Sequence, residues 1–346
     1  MSKTEPMEVV ENLSIDEGLY SRQLYVMGHE AQRRMAKSNI LIIGLNGLGV
    51  EVAKNIILAG VKSVALHDNK PVSFEDLSAQ FYLTQNDIGS SRAIVSAPKL
   101  SELNPYVPVS VVSGDLLSHD LSQYNVIVLI DTSMDLQLQV AQLCRHHGSS
   151  LIIADVLGAF GRVFCDFGES FTVYDIDGEI APSSMITQIT KGYPAVITVL
   201  EENRHSLSTG DTVSLSDIEG MTELNGLEVE VTVKDPFMFE IPIDTTGYTS
   251  YLRGGYVKAI KKPVSISFSP FSLSLSHPGE IVCDAMKCDR APSLHVAFRA
   301  YYMFVEREKR CPIAGRVSDS EIFTAIAHEI VKTERERERE SEKETK

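Results

Sequence analysis

The stretch that most constrains this chain is an apolar run followed at once by closely spaced glycines. Residues 40–43 are Ile-Leu-Ile-Ile, as in a parallel strand that is buried on both faces. Gly44, Gly47 and Gly49 follow, and glycine permits a sharp turn and close packing of a helix on a strand. Residues 48–59 then carry apolar side chains at helical spacing, and residues 63–66 form a second apolar run. The pattern predicts a strand–helix–strand unit with parallel strands.

The glycine spacing is that of a dinucleotide-binding turn with one member replaced. The fingerprint is Gly-x-Gly-x-x-Gly, and Asn46 stands in the position of its middle glycine. That glycine lets the backbone approach the phosphates, so a side chain there obstructs them. Asp68 lies about 20 residues further on, where an acidic residue binds the ribose hydroxyls. We therefore predict a Rossmann-like fold with a degenerate nucleotide cleft, and the fingerprint alone favours a fold that no longer binds nucleotide.

A helix is predicted before this unit. Residues 1–16 are acidic and polar, and we expect them to be disordered. Residues 20–35 place apolar side chains three or four positions apart, with Ser21 as a candidate N-cap. Arg22 lies at the start of this helix, and composition alone predicts an exposed arginine there.

Strands and helices alternate through residue 170. A helix is predicted over residues 87–103 with Asp87 as its cap, and strands over residues 107–112, 126–130 and 151–154. Asp131 follows the strand 126–130, at the carboxyl edge where open α/β sheets bind ligands. The alternation predicts an α/β domain over residues 17–170.

The pattern changes after residue 170. Residues 171–263 hold short alternating runs separated by turn residues, which predicts an all-β, barrel-like insert; Asn225-Gly226 suggests a tight hairpin. Residues 264–333 become helical again, with one helix from residue 291 and another over residues 318–331, and we expect a partial helical bundle. Residues 334–346 form a charged tail that is either an exposed helical extension or disordered.

Composition excludes several functions. The net charge of −15 argues against generic nucleic-acid binding, which needs clustered basic surface. No apolar run approaches the roughly 20 residues of a membrane span, and the polar N-terminus is not a signal peptide. The five cysteines lack zinc-site spacing, so we expect no metal site and reduced thiols in a cytoplasmic and nuclear protein.

Four segments together resemble one family. They are residues 21–28 (Ser-Arg-Gln-Leu-Tyr-Val-Met-Gly), residues 44–55, residues 203–205 (Asn-Arg-His) and residues 288–295 (Cys-Asp-Arg-Ala-Pro-Ser-Leu-His). Their order and the β insert resemble the N-terminal part of the single-chain ubiquitin-activating enzymes, over about residues 17–310. The resemblance implies a ThiF/MoeB-type adenylation fold, in which an inactive copy comes first, followed by the first catalytic-cysteine half-domain and a helical bundle.

The resemblance also implies what this chain lacks. In the family, the active adenylation copy uses ATP and Mg²⁺ to adenylate the ubiquitin C-terminus, and a cysteine in a separate domain then takes the acyl group. An asparagine and an arginine of the active copy serve this chemistry. Aligned on residues 80–81, this chain offers Asp76, Ser78 and Ala79 instead. The chain is therefore expected to be the inactive copy, to bind no ATP or Mg²⁺ by itself, and to lack the catalytic cysteine. Asp131 matches the metal-binding aspartate of the active copy in position, but a structural role is the simpler expectation.

The resemblance assigns partners to two segments. Arg22 is expected to reach across a pseudo-dimer to the ATP phosphates held by the active copy, because a guanidinium donates two hydrogen bonds to phosphate. Asn203, Arg204 and His205 resemble the edge of the insert that faces ubiquitin; an ordinary polar hairpin loop is the alternative. The implied partners are ubiquitin or a ubiquitin-like protein, the active adenylation half in cis or trans, and ubiquitin-conjugating enzymes.

Two other functions stay open from sequence. The fingerprint with Asp68 also fits an NAD-dependent oxidoreductase, although Asn46 and the preceding helix count against it. A non-catalytic module that binds ubiquitin-pathway proteins is the other. The sequence does not decide whether the chain is a fragment, a truncated product or one subunit of a split enzyme.

Overall fold

The computed structural model describes residues 15–202, 204–278 and 290–344, without the side chains of residues 290–291 and 337–344. The chain divides into two compact units. The α/β unit comprises Met1–Glu169 with Ser267–Lys346, and the β unit comprises Ser170–Ile266.

The α/β unit is built on a six-stranded sheet. Its strands are β1 (Asn39–Ile43), β2 (Ser63–His67), β3 (Val109–Val111), β4 (Val126–Ile130), β5 (Ser150–Leu157) and β6 (Phe160–Asp166), in the order β3-β2-β1-β4-β5-β6. Neighbouring strands run parallel except β6, which pairs antiparallel with β5. The order reverses direction at β1 and β4, as in a doubly wound fold. The predicted Rossmann-like sheet is confirmed.

Helices cover the two faces of this sheet unequally. The helices that precede β6 are α1 (Glu17–Met35), α2 (Gly47–Ala59), α3 (Arg92–Ser101) and α4 (Met134–His147). Alternate residues of β1 enter different cores: Ile40 and Ile42 pack with α2 and α3, whereas Leu41 and Ile43 pack with α4. Because α2 and α3 follow β1 and β2, they lie over that half of the sheet.

The β unit has its own core. Its strands are β7 (Phe171–Val173), β8 (Ser183–Ile189), β9 (Ala195–Val199), β10 (Thr212–Glu219), β11 (Glu228–Glu230), β12 (Thr232–Asp235), β13 (Met238–Ile241), β14 (Arg253–Ile260) and β15 (Val264–Ile266). Seven of them form an antiparallel sheet in the order β11-β10-β14-β8-β9-β13-β12, while β7 pairs with β15. Alternate residues of the seven strands fill one apolar cluster. The predicted all-β, barrel-like insert is confirmed.

Three helices end the α/β unit: α5 (Phe271–Ser276), α6 (Arg290–Glu308) and α7 (Val317–Glu344). Phe304 of α6 and Ile326 and Ile330 of α7 form a small buried cluster. Since α7 extends to Glu344, the charged tail is a helical extension as far as that residue.

Local details differ from the predictions at three places. Helix α1 begins four residues before Ser21, because the Asp16 carboxylate accepts the Gly18 and Leu19 N–H groups at 3.0 Å each. Asp87 does not cap a long helix: it ends a short 3₁₀ turn through a capping box with Thr84, and Ser91 caps α3. Asn225-Gly226 is not a tight hairpin, since it lies in the connection of residues 220–227 between β10 and β11 rather than in a two-residue loop.

Candidate functional site

The turn after β1 keeps its glycines because protein atoms crowd it. A Cβ on Gly44 would lie 2.2 Å from the Ile130 carbonyl oxygen, and Gly44 has φ +93°. A Cβ on Gly49 would lie 2.0 Å from the Gly44 carbonyl oxygen, and one on Gly47 would lie 2.9 Å from the Ala79 Cβ. These glycines are therefore required for packing α2 against the sheet, whether or not a nucleotide binds.

Asn46 uses the helix terminus that a phosphate would use. Its side-chain oxygen accepts the Gly49 N–H at 3.0 Å and so caps α2. Its amide nitrogen donates a short hydrogen bond to Asp131 Oδ2, across the switch point of the sheet. A free helix N-terminus offers such N–H groups to anions. Here a side chain of the protein already occupies one of them.

Asp131 is held by protein groups on both oxygens. Its Oδ1 accepts the Val156 N–H at 2.8 Å, and its Oδ2 accepts from Asn46. The backbone has φ +45°, an uncommon value for a residue with a side chain. Burial raises the pKa of Asp131, and the hydrogen bonds from Val156 and Asn46 partly offset that rise. This arrangement fits the structural role expected for Asp131.

Asp68 is likewise engaged in holding the turn. It is only 7% exposed; its Oδ2 accepts the Leu45 N–H at 2.8 Å and its Oδ1 accepts the Lys70 N–H at 2.9 Å. Arg92 Nε lies 3.4 Å from Asp68 Oδ2, and the other end of its guanidinium donates to Asp76 Oδ1 at 3.2 Å. Sequence reasoning missed Arg92, because nothing local to α3 indicates that its side chain turns back to the cleft.

The cleft between these groups has a volume of about 290 Å³. Its polar lining combines two acidic residues, Asp68 and Asp131, with Asn46, Lys70 and Arg92. The loop beside it carries the residues aligned with the active copy. Ala79 packs against Gly47, and Asp76 accepts from Ser73 as well as from Arg92. Among the described residues, the ion pair to a cleft carboxylate comes from Arg92 of α3, and its guanidinium is shared between Asp68 and Asp76.

Arg22 lies on the outward face of α1. Its side chain is exposed, and no hydrogen bond or ion pair joins it to another residue in the described part of the chain. Tyr20 and Gln23 point the other way, toward the end of α2. Arg22 therefore keeps all its donors available for a group outside this chain.

The residues of the predicted ubiquitin-facing loop differ in their exposure to solvent. Asn203 lies outside the described residues, and Arg204 is exposed. His205 is only 3% exposed: its Nδ1 accepts the Leu207 N–H at 2.9 Å and its Nε2 donates to the Asp235 carbonyl at 2.7 Å. The prediction that His205 faces a partner is wrong for the side chain, because the ring closes the loop from inside the β unit.

One half of the sheet leaves an apolar hollow uncovered on the α2 side. The hollow has a volume of about 390 Å³ and is lined by α2, β4, β5 and β6. Its main apolar residues are Leu48, Val52, Ile56, Val128, Ile152 and Val163. Val163 is 70% exposed at its edge, and Val156 is 46% exposed. Sequence periodicity did not predict this surface, because a buried strand face and an uncovered apolar strand face have the same sequence pattern.

Burial makes two of the described cysteines poor nucleophiles. Burial raises the pKa of the Cys144 thiol to about 12, and burial also raises the pKa of Cys165. A raised pKa lowers the thiolate fraction, which is the nucleophilic form. Cys311 is exposed and free, while Cys283 and Cys288 lie outside the described residues. Within the same described residues, no cluster of metal-ligating side chains occurs and no helix is long and apolar enough to cross a membrane.

Comparison with known proteins places this fold. The ThiF family matches residues 20–194, which is half of the chain. The chain belongs to the ThiF family. The ubiquitin-activating enzyme E1 FCCH domain matches residues 192–261, and the E1 four-helix bundle matches residues 262–331. The cleft, Arg22 and the apolar hollow lie within the residues that match the ThiF family, and Arg204 and His205 lie within those that match the FCCH domain.

Relatives extend the correspondence along the chain. The chain is 46% identical over 317 residues to ubiquitin-like modifier-activating enzyme 1 of Oryctolagus cuniculus, covering 91% of this chain and 30% of that protein. The same values hold for the protein of that name in Homo sapiens. Ubiquitin-activating enzyme E1 2 of Arabidopsis thaliana is 43% identical over 323 residues, which is 92% of this chain and 30% of that protein. The chain thus corresponds to the N-terminal part of ubiquitin-activating enzymes and spans about 30% of their length.

Proposed function

We propose that this chain is the inactive adenylation part of a ubiquitin-activating enzyme, and that it contributes Arg22 to a nucleotide held by a separate active half. The observation that carries the proposal is a contrast within one unit. In the chain's own cleft the Asn46 side chain caps α2 and donates to Asp131, whereas Arg22 is exposed with its donors free.

The cleft residues do not fit ATP with Mg²⁺. A phosphate at the turn would compete with Asn46 for the Gly49 N–H. A Mg²⁺ ion would need oxygen ligands, and at Asp131 it would have to compete with the Asn46 and Val156 donors. Asp68 is committed to the backbone and to Arg92 in the same way. We therefore propose that this chain by itself holds neither ATP nor Mg²⁺.

The apolar hollow supports a second α/β domain as the partner. Its lining is almost entirely apolar, and uncovered apolar surface of this kind marks an interaction site. A partner with a comparable apolar face would complete the covering of the sheet that α2 and α3 leave open. We propose that the active adenylation half fills this role, either in the same polypeptide or as a separate subunit.

Arg22 has the chemistry for a phosphate contact in trans. A guanidinium can donate paired hydrogen bonds to phosphate oxygens. Charge builds on the phosphates while an acyl adenylate forms and pyrophosphate leaves. A fixed cation at that position stabilises the transition state. The catalytic cysteine that then receives the acyl group lies outside this chain under the proposal.

The ubiquitin contact is assigned to the exposed part of the 203–205 loop. Arg204 is available there, while His205 holds the loop through Leu207 and Asp235. The acidic balance of the chain, −15, also suits a basic partner surface. Ubiquitin-conjugating enzymes are expected to act on the assembled enzyme, in the cytoplasm and nucleus.

Reconstitution tests the proposal. The chain is combined with the active adenylation half and cysteine region of a relative, and ubiquitin-dependent ATP–pyrophosphate exchange is measured. We expect exchange only with both parts present, and a loss of about 100-fold for Arg22→Ala, as for removal of one transition-state donor. Arg33→Ala on the same helix is the matched control, because Arg33 pairs with Glu30 and should leave exchange unchanged.

Three results would contradict the proposal. If Arg22→Ala leaves the exchange rate unchanged, Arg22 does not contact the nucleotide of the active half. Calorimetric binding of ATP or NAD to the chain alone would show a working cleft, and NAD binding would favour the oxidoreductase alternative. Ubiquitin captured by the chain alone, with no exchange after reconstitution, would favour the non-catalytic binding module.

A further inference from the structure

The two faces of helix α1 differ in their contacts around Arg22. Successive helical residues turn by about 100°, so Tyr20 lies nearly opposite Arg22, about 160° around the helix, and Gln23 lies about 100° from it. Tyr20 and Gln23 make contacts to the end of α2 and its neighbourhood, whereas Arg22 is exposed. The position of Arg22 in space is therefore set by what Tyr20 and Gln23 bind.

Tyr20 is anchored by a buried asparagine. Asn104 is 6% exposed, and its amide nitrogen donates to the Tyr20 hydroxyl at 3.2 Å and to the Ile57 carbonyl at 3.0 Å. Its side-chain oxygen accepts the Tyr106 N–H at 3.1 Å. Asn104 thus ties α1 to the last turn of α2, and its own geometry is fixed at both ends.

The end of α2 is shaped to receive the Tyr20 ring. Gly60 ends α2 in the left-handed conformation, with φ +81°, and a Cβ there would lie 2.4 Å from the Tyr20 hydroxyl oxygen. Gln23 Nε2 donates to the Ala59 carbonyl at 3.4 Å. That carbonyl belongs to the last turn of α2, where helix carbonyls lack partners within the helix. Both neighbours of Arg22 are thus seated on one helix end.

We propose that Tyr20 and Asn104 are positioning residues that fix the Arg22 segment for its contact with the partner's nucleotide. The inference rests on the proposed function of Arg22. Asn104 holds the Tyr20 hydroxyl, Tyr20 holds the first turns of α1 against Gly60, and Arg22 is presented from the opposite face. Neither positioning residue touches the nucleotide.

The first experiment uses the chain alone and does not depend on catalysis. Trypsin cleaves after Arg22 only when the surrounding helix opens, so the cleavage rate reports local opening. Tyr20→Phe keeps the ring but removes the acceptor of the Asn104 hydrogen bond. We expect cleavage after Arg22 to rise about fivefold, the equivalent of a hydrogen bond of about 1 kcal/mol.

The control is the same chemical change on the other face of the same helix. Tyr25 is 93% exposed, and its hydroxyl makes no hydrogen bond to another of the described residues. Tyr25→Phe should leave the cleavage rate after Arg22 unchanged. Rates are normalised to cleavage of each denatured variant, and Arg204 in the β unit serves as an internal reference site. Equal cleavage after Arg22 in Tyr20→Phe and the unaltered chain would overturn the positioning role.

The second experiment is a double-mutant cycle in the reconstituted enzyme. If Tyr20 acts through Arg22, Tyr20→Phe should slow pyrophosphate exchange, and by less than the loss of about 100-fold expected for Arg22→Ala. The same change should have no further effect when Arg22 is already alanine. The maximal rate should fall more than the apparent affinity for ubiquitin, which a general loss of folding would not produce.

The outcomes separate the two proposals. If Arg22→Ala does not alter exchange, the proposed function fails, and the proteolysis result still decides whether Tyr20 orders the segment. If Arg22→Ala slows exchange but Tyr20→Phe slows it by the same factor with and without Arg22, the positioning role fails while the proposed function stands.

Discussion

Removing the Asn46 side chain should destabilise the α/β unit in a pH-dependent way. The side chain caps α2 through the Gly49 N–H and donates to Asp131. Replacing an asparagine cap by glycine costs only a few tenths of a kcal/mol. Losing a hydrogen bond to a charged group in a half-buried site costs about 1.5–3 kcal/mol. We therefore expect Asn46→Gly to lower the stability of the α/β unit by about 2 kcal/mol at pH 7.

The sign of the pH dependence follows from Asp131. Burial raises its pKa in the folded state, so the ionisation of Asp131 costs stability as the pH rises from the ordinary pKa of an aspartate through the raised pKa of the folded state. The Asn46 hydrogen bond offsets part of this cost, and only the ionised carboxylate needs it fully. Asn46→Gly should therefore raise the pKa of Asp131 further. The destabilisation should be largest at pH 7 and should shrink near pH 4, where the carboxyl is increasingly protonated.

Calorimetric melting at the two pH values measures the effect. For a unit of this size, about 2 kcal/mol corresponds to a decrease of roughly 4–8 °C in melting temperature at pH 7. Asn46→Ser is the matched control for the cap, since serine caps well but is too short to reach Asp131. It should show nearly the same pH-dependent loss. The reasoning fails if the decrease is equal at both pH values, or if serine restores the stability at pH 7.

Three further predictions concern folding and thiol reactivity. Gly44→Ala should cost about 2–4 kcal/mol, because φ +93° and a contact of 2.2 Å with the Ile130 carbonyl oxygen oppose a Cβ; an unchanged melting temperature would contradict this. His205→Ala should destabilise the β unit by about 2–4 kcal/mol, because the Leu207 N–H and the Asp235 carbonyl lose their partner. Urea unfolding followed by near-ultraviolet circular dichroism measures the loss. A change below about 0.5 kcal/mol would argue against the structural role of His205. Cys311 should react with a thiol reagent at about pH 8, whereas Cys144, with its pKa raised to about 12, should react only after denaturation. Mass spectrometry of the labelled peptides measures both reactions. Equal labelling of the two cysteines in the folded chain would refute the prediction.

Much of the fold could be predicted because its signals are local. The apolar run of β1, the glycines after it and the helical spacing of α2 all lie within about twenty consecutive residues. The change from alternating strands and helices to short strands likewise marks the β unit. Errors occurred at caps and turns, where one side chain decides. Asp16 rather than Ser21 is the N-cap of α1, because the Asp16 carboxylate accepts the free N–H groups of the first turn.

The cleft was predicted in outline from one residue but not in its contacts. The replacement of a glycine by Asn46 indicated that the phosphate site is degenerate. The partner of that side chain, Asp131, lies 85 residues further along the chain, and Arg92 reaches Asp68 across 24 residues. A sequence pattern does not report such pairs, since they depend on which strand ends lie together.

The sequence by itself determined the elements and their order, because backbone preference and apolar spacing act over a few residues. It also carried the segments that resemble the family. Only the tertiary structure decided which polar side chains are free. Arg22 and His205 are both polar residues in motifs that suggested a partner, yet the first is exposed and the second is buried. Whether a side chain is available for function depends on the surfaces that fold over it, and those surfaces come from distant parts of the chain.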